Sequence, residues 1–382
     1  MDSGARLRTG THRLASVRVA LFLLGVLLLP IAAPTAVAWR ADGWLSQDVV
    51  GGERLRLGDE FGCQGMPGRD VADDLTVIED CKDYLTSNIE ASRWGTAPLS
   101  FGIDSRVIDT PIKEALTESG FAIIGGQSYR GDTDGLVEMA RSGGSLEKNI
   151  ASITDIQDGI EENGYANLYW EAQLEDLNVR RDKEVVAWIE DQPFWFTTWG
   201  EWLTASHPPV TLSQNTTEAT LRGTSTIHGQ WTTPGTAFLS VPGANISAVE
   251  RIDGLEFPVL TEADRQLTPG YRLLDNHSVI MTIPPQVEVR IAWDGEGIAF
   301  ISGAHFNNLT PFMATGHHTT DLFEWSKDFQ ESPIRFTWLI EPQAEIEPTW
   351  ILPAIAVITI LIVPGAVWWT LRTERKADPE EE

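Results

Sequence analysis

Two periodicities divide the chain. Between residues 208 and 342, Val287, Val289, Ile291 and Trp293 alternate with Glu288, Arg290 and Ala292, and Ile334, Phe336, Trp338 and Ile340 alternate with Arg335, Thr337 and Leu339. A period of two marks strands with one buried face. Adding Val279, Met281 and Ile283 and the runs 237–241 and 298–301 predicts a β-sandwich of roughly six to eight strands. Upstream, from about 70 to 204, helix and strand signals mix. Residues 99–103 predict a strand, Thr110 and Pro111 the N-cap and first position of a helix over 112–119, Gly120 its stop, and 121–124 the next strand, a βαβ-like unit. Leu146, Ile150, Ile153, Ile156 and Ile160 recur at helical spacing between Ser145 and Asn163-Gly164. They predict an amphipathic helix that packs its isoleucine face on its own sheet.

The ends carry a different pattern. Arg6, Arg8, Arg13 and Arg18, an apolar run over 19–29, and Ala36-Val37-Ala38 have the layout of a secretory signal cleaved after Ala38. An uncleaved N-terminal anchor is the alternative, since 19–39 is long enough to cross the bilayer. Residues 351–370 carry no charge, and twenty residues of helix span about 30 Å. Trp350, Trp368 and Trp369 flank this stretch at interfacial positions, and Arg372, Arg375 and Lys376 follow as the positive-inside rule requires. The expected fold class is therefore mixed α+β. An N-terminal α/β-like domain over 39–204 precedes a membrane-proximal all-β sandwich over 205–345. One C-terminal transmembrane helix over 350–370 and a cytoplasmic tail over 371–382 complete the chain.

Composition sharpens the compartment. The 382-residue chain holds 28 basic and 55 acidic side chains, a formal charge of −27. The first 38 residues carry +3 and residues 350–382 carry −2, which leaves −28 for the stretch between, placed outside the cytoplasm by both ends. So acidic a surface repels polyanions and excludes a nucleic-acid partner. The membrane, through the C-terminal helix, and a surface protein or glycan ligand are the expected partners. Cys63 and Cys81 are the only cysteines, and an oxidising compartment should pair them. They lack the Cys-x-x-Cys spacing of a redox pair. Asn215, Asn245, Asn276 and Asn308 each open an Asn-x-Ser/Thr triplet and are candidate glycosylation sites.

The chemistry-bearing constellations are incomplete. His305, His317 and Asp321 could supply divalent-cation ligands, yet adjacent His317 and His318 point to opposite faces of a strand. No cofactor is identified. Gly126, Ser128 and Gly131 miss the Gly-x-Ser-x-Gly elbow by one position. Loops at the carboxyl ends of α/β strands nonetheless bind ligands, which makes Asp104, Ser105, Gln127 and Ser128 a candidate site. Asp134 reads as the N-cap of a helix over 136–141 rather than part of a calcium loop. Trp195, Trp199 and Trp202, beside Phe194 and Phe196, form either an aromatic binding face or the core of a domain junction. No catalytic residue is assigned. The expectation is an anchored surface protein that binds or assembles; the alternatives are an anchored extracellular hydrolase and a subunit of a membrane complex.

Overall fold

A computed structural model describes residues 50–103, 107–125, 130–131, 133–139, 141–142, 144–170, 181–206, 210–224, 231–317 and 329–342, and residues 360, 364–365, 367–368 and 372. The chain divides into two units, Met1–Pro342 and Gln343–Glu382. The first unit is mixed α+β. Its helices among the described residues are α1 (Val50–Leu57), α2 (Thr76–Asn88), α3 (Thr110–Glu118), α4 (Ile153–Asn163), α5 (Lys183–Asp191) and α6 (Trp199–Ser206).

The first eight strands are β1 (Glu60–Cys63), β2 (Ser100–Gly102), β3 (Val107–Ile108), β4 (Ile123–Gly125), β5 (Arg130–Gly131), β6 (Val137–Met139), β7 (Ala166–Trp170) and β8 (Phe194–Thr197). The next eight, β9 (Val210–Gln214), β10 (Glu218–Gly223), β11 (Gly235–Ser240), β12 (Asn245–Arg251), β13 (Gly270–Leu273), β14 (Ser278–Ile283), β15 (Glu288–Asp294) and β16 (Phe300–Gly303), build two antiparallel sheets ordered β12-β15-β10-β9 and β13-β14-β11-β16. These form the expected sandwich, with Leu221, Leu239, Met281, Ile291 and Trp293 in its core.

The last two strands, β17 (Thr310–His317) and β18 (Phe336–Ile340), do not belong to the sandwich. β18 pairs in parallel with β1 (Phe61 with Trp338) and with β17 (Gly316 with Trp338). The parallel sheet therefore runs β6-β4-β2-β1-β18-β17-β7, with β8 also on β17. The expected sandwich strand ending in Ile340 is corrected here, and the reason is burial. All five β18 residues are buried, because helices cover both faces of the sheet and Thr337 and Leu339 are as enclosed as Trp338. The sandwich is thus an insertion between α6 and β17. Its two ends meet where Ser206 Oγ lies 3.3 Å from His305 Nδ1, the adjacent termini expected of an inserted domain.

One sheet face packs Phe61, Cys63, Phe101, Phe336 and Trp338 against α2 to α5 through Ile78, Cys81, Leu116, Ile156 and Ile189. The other face takes α6 through Trp199 and Leu203, with Ile123, Met313 and Leu339. That close approach needs glycine: a Cβ at Gly125 would run into the Trp199 indole, and one at Gly62 would meet Ser100 O at 2.6 Å.

The βαβ unit β2-α3-β4 forms, with its two strands adjacent (Phe101 beside Ile124). Two local expectations change. The isoleucine helix starts at Ile153, not near Ser145, because the Ser152 hydroxyl caps Asp155 N and Leu146 N instead donates to Tyr169 O beside β7. Asp134 precedes strand β6 rather than a helix over 136–141.

Among the described residues no helix is long and apolar enough to cross a membrane. Most of 351–370 lies outside them. Ile360, Pro364, Gly365, Val367, Trp368 and Arg372 are helical; the Ile360, Val367 and Trp368 side chains are exposed, and the Arg372 guanidinium lies 4.9 Å from the Trp368 ring centre.

Candidate functional site: the carboxyl edge of the parallel sheet

Strands β1, β2, β4, β6, β7, β17 and β18 all point their carboxyl ends to one edge, where parallel α/β sheets bind ligands. A cavity of about 330 Å³ opens there between the ends of β1, β2 and β18, and Gln64, Met66, Arg69, Asp70, Ile103 and Glu341 help line it. The segment after β1 is locked in place: Gln64 N donates to Ile340 O at 2.7 Å, and Gly65 and Gly68 take positive φ angles of 142° and 70°. The Gln64 side chain lies over Gly102, where a Cβ would displace it.

Arg69 is tied down on the cavity wall. It donates to Asp74 Oδ2 at 2.7 and 3.1 Å, to Asp80 Oδ2 at 2.6 Å and to Thr76 Oγ1 at 2.6 Å. These bonds raise the Arg69 pKa and hold the Asp74 carboxyl below the ordinary carboxylate range. Arg69 is outnumbered by the two carboxylates it binds, Asp74 and Asp80, and Asp70 adds a third, so the described residues on this wall of the cavity are negatively biased. That bias favours an ammonium group or a donor-rich ligand over an anion.

Asp104 and Ser105 follow β2, and Gln127 and Ser128 follow β4; all four lie outside the described residues. Their flanks are neighbours, since Gly102 pairs with Gly125 and Ile103 N donates to Gly125 O at 3.2 Å. Asp321 also lies outside the described residues, as does the side chain of His317. His317 closes the carboxyl end of β17, a strand about 23 Å long at a rise of about 3.3 Å per residue, and His305 lies before its amino end, across the turn Phe306–Asn308.

The aromatic group is core. Trp195 and Trp199 are fully buried and Phe194 and Phe196 are buried, while the half-buried Trp202 packs on Tyr165 at 5.6 Å between ring centres. Trp195 joins Leu260, Leu267 and Phe306 where the inserted sandwich meets its host sheet. These indoles therefore form no shared exposed face: the insertion covers Trp195, and the parallel sheet, through Ile123, Met313 and Gly125, covers Trp199.

Sequence reasoning missed a buried polar network at the opposite, amino edge. Glu60 accepts from Ser100 Oγ at 2.5 Å and from Gly200 N at 2.7 Å, at the start of α6. Burial pushes the Glu60 carboxyl above its ordinary value, against the opposing pull of its donors Ser100, Gly200, Thr198 and Thr337. Asp59 accepts from Arg54 Nε at 2.5 Å and Trp338 Nε1 at 2.7 Å. Glu201 accepts from Arg93 Nη2 at 2.9 Å and Trp94 Nε1 at 2.6 Å. All three carboxyl groups are enclosed, so this network positions α6 and the insertion. Its only sequence signal is the pair Asp59-Glu60 opening an otherwise apolar strand.

Comparison with known proteins gives no relative: no family model, no curated protein and no solved structure matches the chain.

Proposed function

We propose that the chain is a single-span envelope protein, held by residues 351–370, whose parallel-sheet unit binds a small amine-bearing or hydroxyl-rich ligand outside the cytoplasm. The observation that carries the binding role is the cavity at the carboxyl ends of β1 and β18, whose Arg69 wall is negatively biased by Asp70, Asp74 and Asp80. The anchor rests on the uncharged stretch followed by Arg372, Arg375 and Lys376. The exposed apolar side chains of helical Ile360, Val367 and Trp368 support it. In chain order, the last strand before the anchor is β18 of the parallel sheet and not a strand of the sandwich. Cys63 and Cys81 are buried free thiols in the structure, with sulfurs 2.7 Å apart, and that proximity supports a structural disulfide in an oxidising compartment.

The test has two arms. A membrane-impermeant amine reagent applied to intact cells should label exposed Lys148 and Lys183; lack of labelling removes the topology. Thermal melting of the full chain in detergent should rise with amines or sugars and not with carboxylates at equal ionic strength. D70N should weaken that rise. An equal response to carboxylates would remove the ligand class. The hydrolase reading has one observation in its favour, that the segments carrying Asp104 and Ser128 leave from adjacent strands. Ester or peptide turnover lost in S128A would establish it.

A further inference from the structure

Four Asn-x-Ser/Thr triplets lie in the outer stretch, and the fold presents them unequally. Strands β11 and β14 run from a host-facing end, where Gly235 pairs with Ile283, to a far end, where Ser240 pairs with Ser278. At the host-facing end Trp231 Nε1 donates to Ala97 O at 2.8 Å and Thr204 Oγ1 to Thr233 Oγ1 at 2.9 Å. Asn215, Asn245 and Asn276 all sit at the far end. Asn215 fills the β9–β10 turn and Asn245 pairs with Asp294 at the end of β15, while Ile246 N donates to Asn276 O at 2.7 Å.

Two triplets are accessible throughout. Asn215, Thr216 and Thr217 are all exposed, and Asn245 and Ser247 are exposed on either side of a half-buried Ile246. β9 and β12 are the two outer strands of their sheet, which leaves one backbone edge of each open. At Asn215 the hydroxyl is already at the amide: Oδ1 accepts from Thr217 N at 2.9 Å and Thr217 Oγ1 at 3.3 Å. The other two triplets are partly covered. Asn276 and His277 are exposed, but Ser278 is buried at the start of β14, between β13 and β11, and donates to Asp275. Asn308 is exposed, but Leu309 is buried and Thr310 opens β17 inside the parallel sheet.

We propose that Asn215 and Asn245 are N-glycan attachment sites at the far end of the sandwich, selected by the fold over Asn276 and Asn308; this rests on the extracytoplasmic topology proposed above. The donor class is an oligosaccharide carried on a polyisoprenyl phosphate or diphosphate. The anomeric carbon forms a bond to Asn Nδ2 and its bond to the phosphate oxygen breaks. Nδ2 loses one proton and the lipid phosphate leaves with the bonding pair, so the step needs no oxidant or reductant. Glycans there extend away from the contact with the host sheet and from the carboxyl-edge cavity's lining.

Peptide mass spectrometry on the full-length protein, isolated from the membranes of the cells that make it, tests the assignment. Sugar mass increments are expected on the Asn215 and Asn245 peptides and none on the Asn276 and Asn308 peptides. T217A and S247A should each erase one increment, while T217S keeps it. T217A retains the Asn215 bonds to the backbone N–H groups of residues 217 and 218, so loss of the increment would not reflect a broken turn. Bare Asn215 and Asn245, or equal occupancy of Asn308, overturns the proposal. If impermeant reagent labels Lys148 while both asparagines are bare, the glycan assignment fails alone; if the lysines are also protected, the topology has failed with it.

Discussion

Glu60 is the residue whose environment departs furthest from what its neighbours in sequence suggest. Its carboxyl is raised chiefly by burial, so the folded state holds the proton more tightly than the unfolded chain does. The stability this contributes is fully present below the unfolded value near 4.5 and is lost as pH rises through the higher folded value. E60Q keeps an oxygen for Gly200 N–H and removes the charge. The unfolding free energy of E60Q should therefore gain on the wild type with rising pH, by at most about 1.4 kcal/mol per pH unit within the window, and its melting temperature should rise with it. Parallel melts from pH 4 to 8 check it, and a constant gap would refute it. The buried Cys63–Cys81 pair belongs to the same scale. Burial and the neighbouring sulfur push the Cys63 thiol well up, so in reducing conditions Cys63 stays protonated and a poor nucleophile. If bridged as proposed, reduction should cost about 3 kcal/mol for a closed loop of this length. Denaturant midpoints with and without reductant measure that cost. The nearness of Cys63 to Cys81 fits what compartment and count suggest, but both are free thiols in the structure and their bridge stays a proposal. The setting of Glu60 was not legible in the sequence, because its partners Ser100, Gly200 and Thr337 lie 40 to 277 positions away.

Helix starts separate what local signals decide from what they leave open. The sequence marks a helix near Thr110 and Pro111, and α3 is there, yet the cap is Asp109, whose Oδ1 accepts from Ile112 N at 3.1 Å. D109A should cost about 1 kcal/mol and T110A close to nothing; chemical denaturation of the two variants tells them apart, and the reverse order would restore Thr110 as the cap. α4 shows the same limit. Its periodicity extends back to Leu146, but the Ser152 cap and the pairing of residue 146 with β7 stop the helix at Ile153. Alternation in β15 reads correctly because its Val289, Ile291 and Trp293 face a core and its Glu288, Arg290 and Ala292 do not. The same alternation in β18 misleads, since both of its faces are covered and Thr337 and Leu339 are enclosed too.

At the scale of the molecule, the sandwich was legible from strand density, and the insertion was not. Nothing local to Phe336 or Trp338 says that their partners are Asp59 and Phe61, nearly the whole outer length away. The carboxyl edge was legible only as a rule about βα loops. The cavity itself depends on bringing Glu341 beside Gln64 and Arg69, a juxtaposition made by pairing β1 with β18.

That pairing also fixes an order of events. β18 fills the slot between β1 and β17, so a chain emerging amino end first exposes four neighbouring strands, β6-β4-β2-β1, with no central partner until residue 340 has appeared. The sandwich has every strand it needs by residue 303. It should condense while the surrounding sheet still waits for its keystone. A chain stopped at residue 306 should then yield a protease-resistant fragment beginning near 207, with everything before it digested; protection of the earlier half would show that the slot can stand empty. In a chain tethered as proposed, the strand that makes this last closure is also the last one before the anchor.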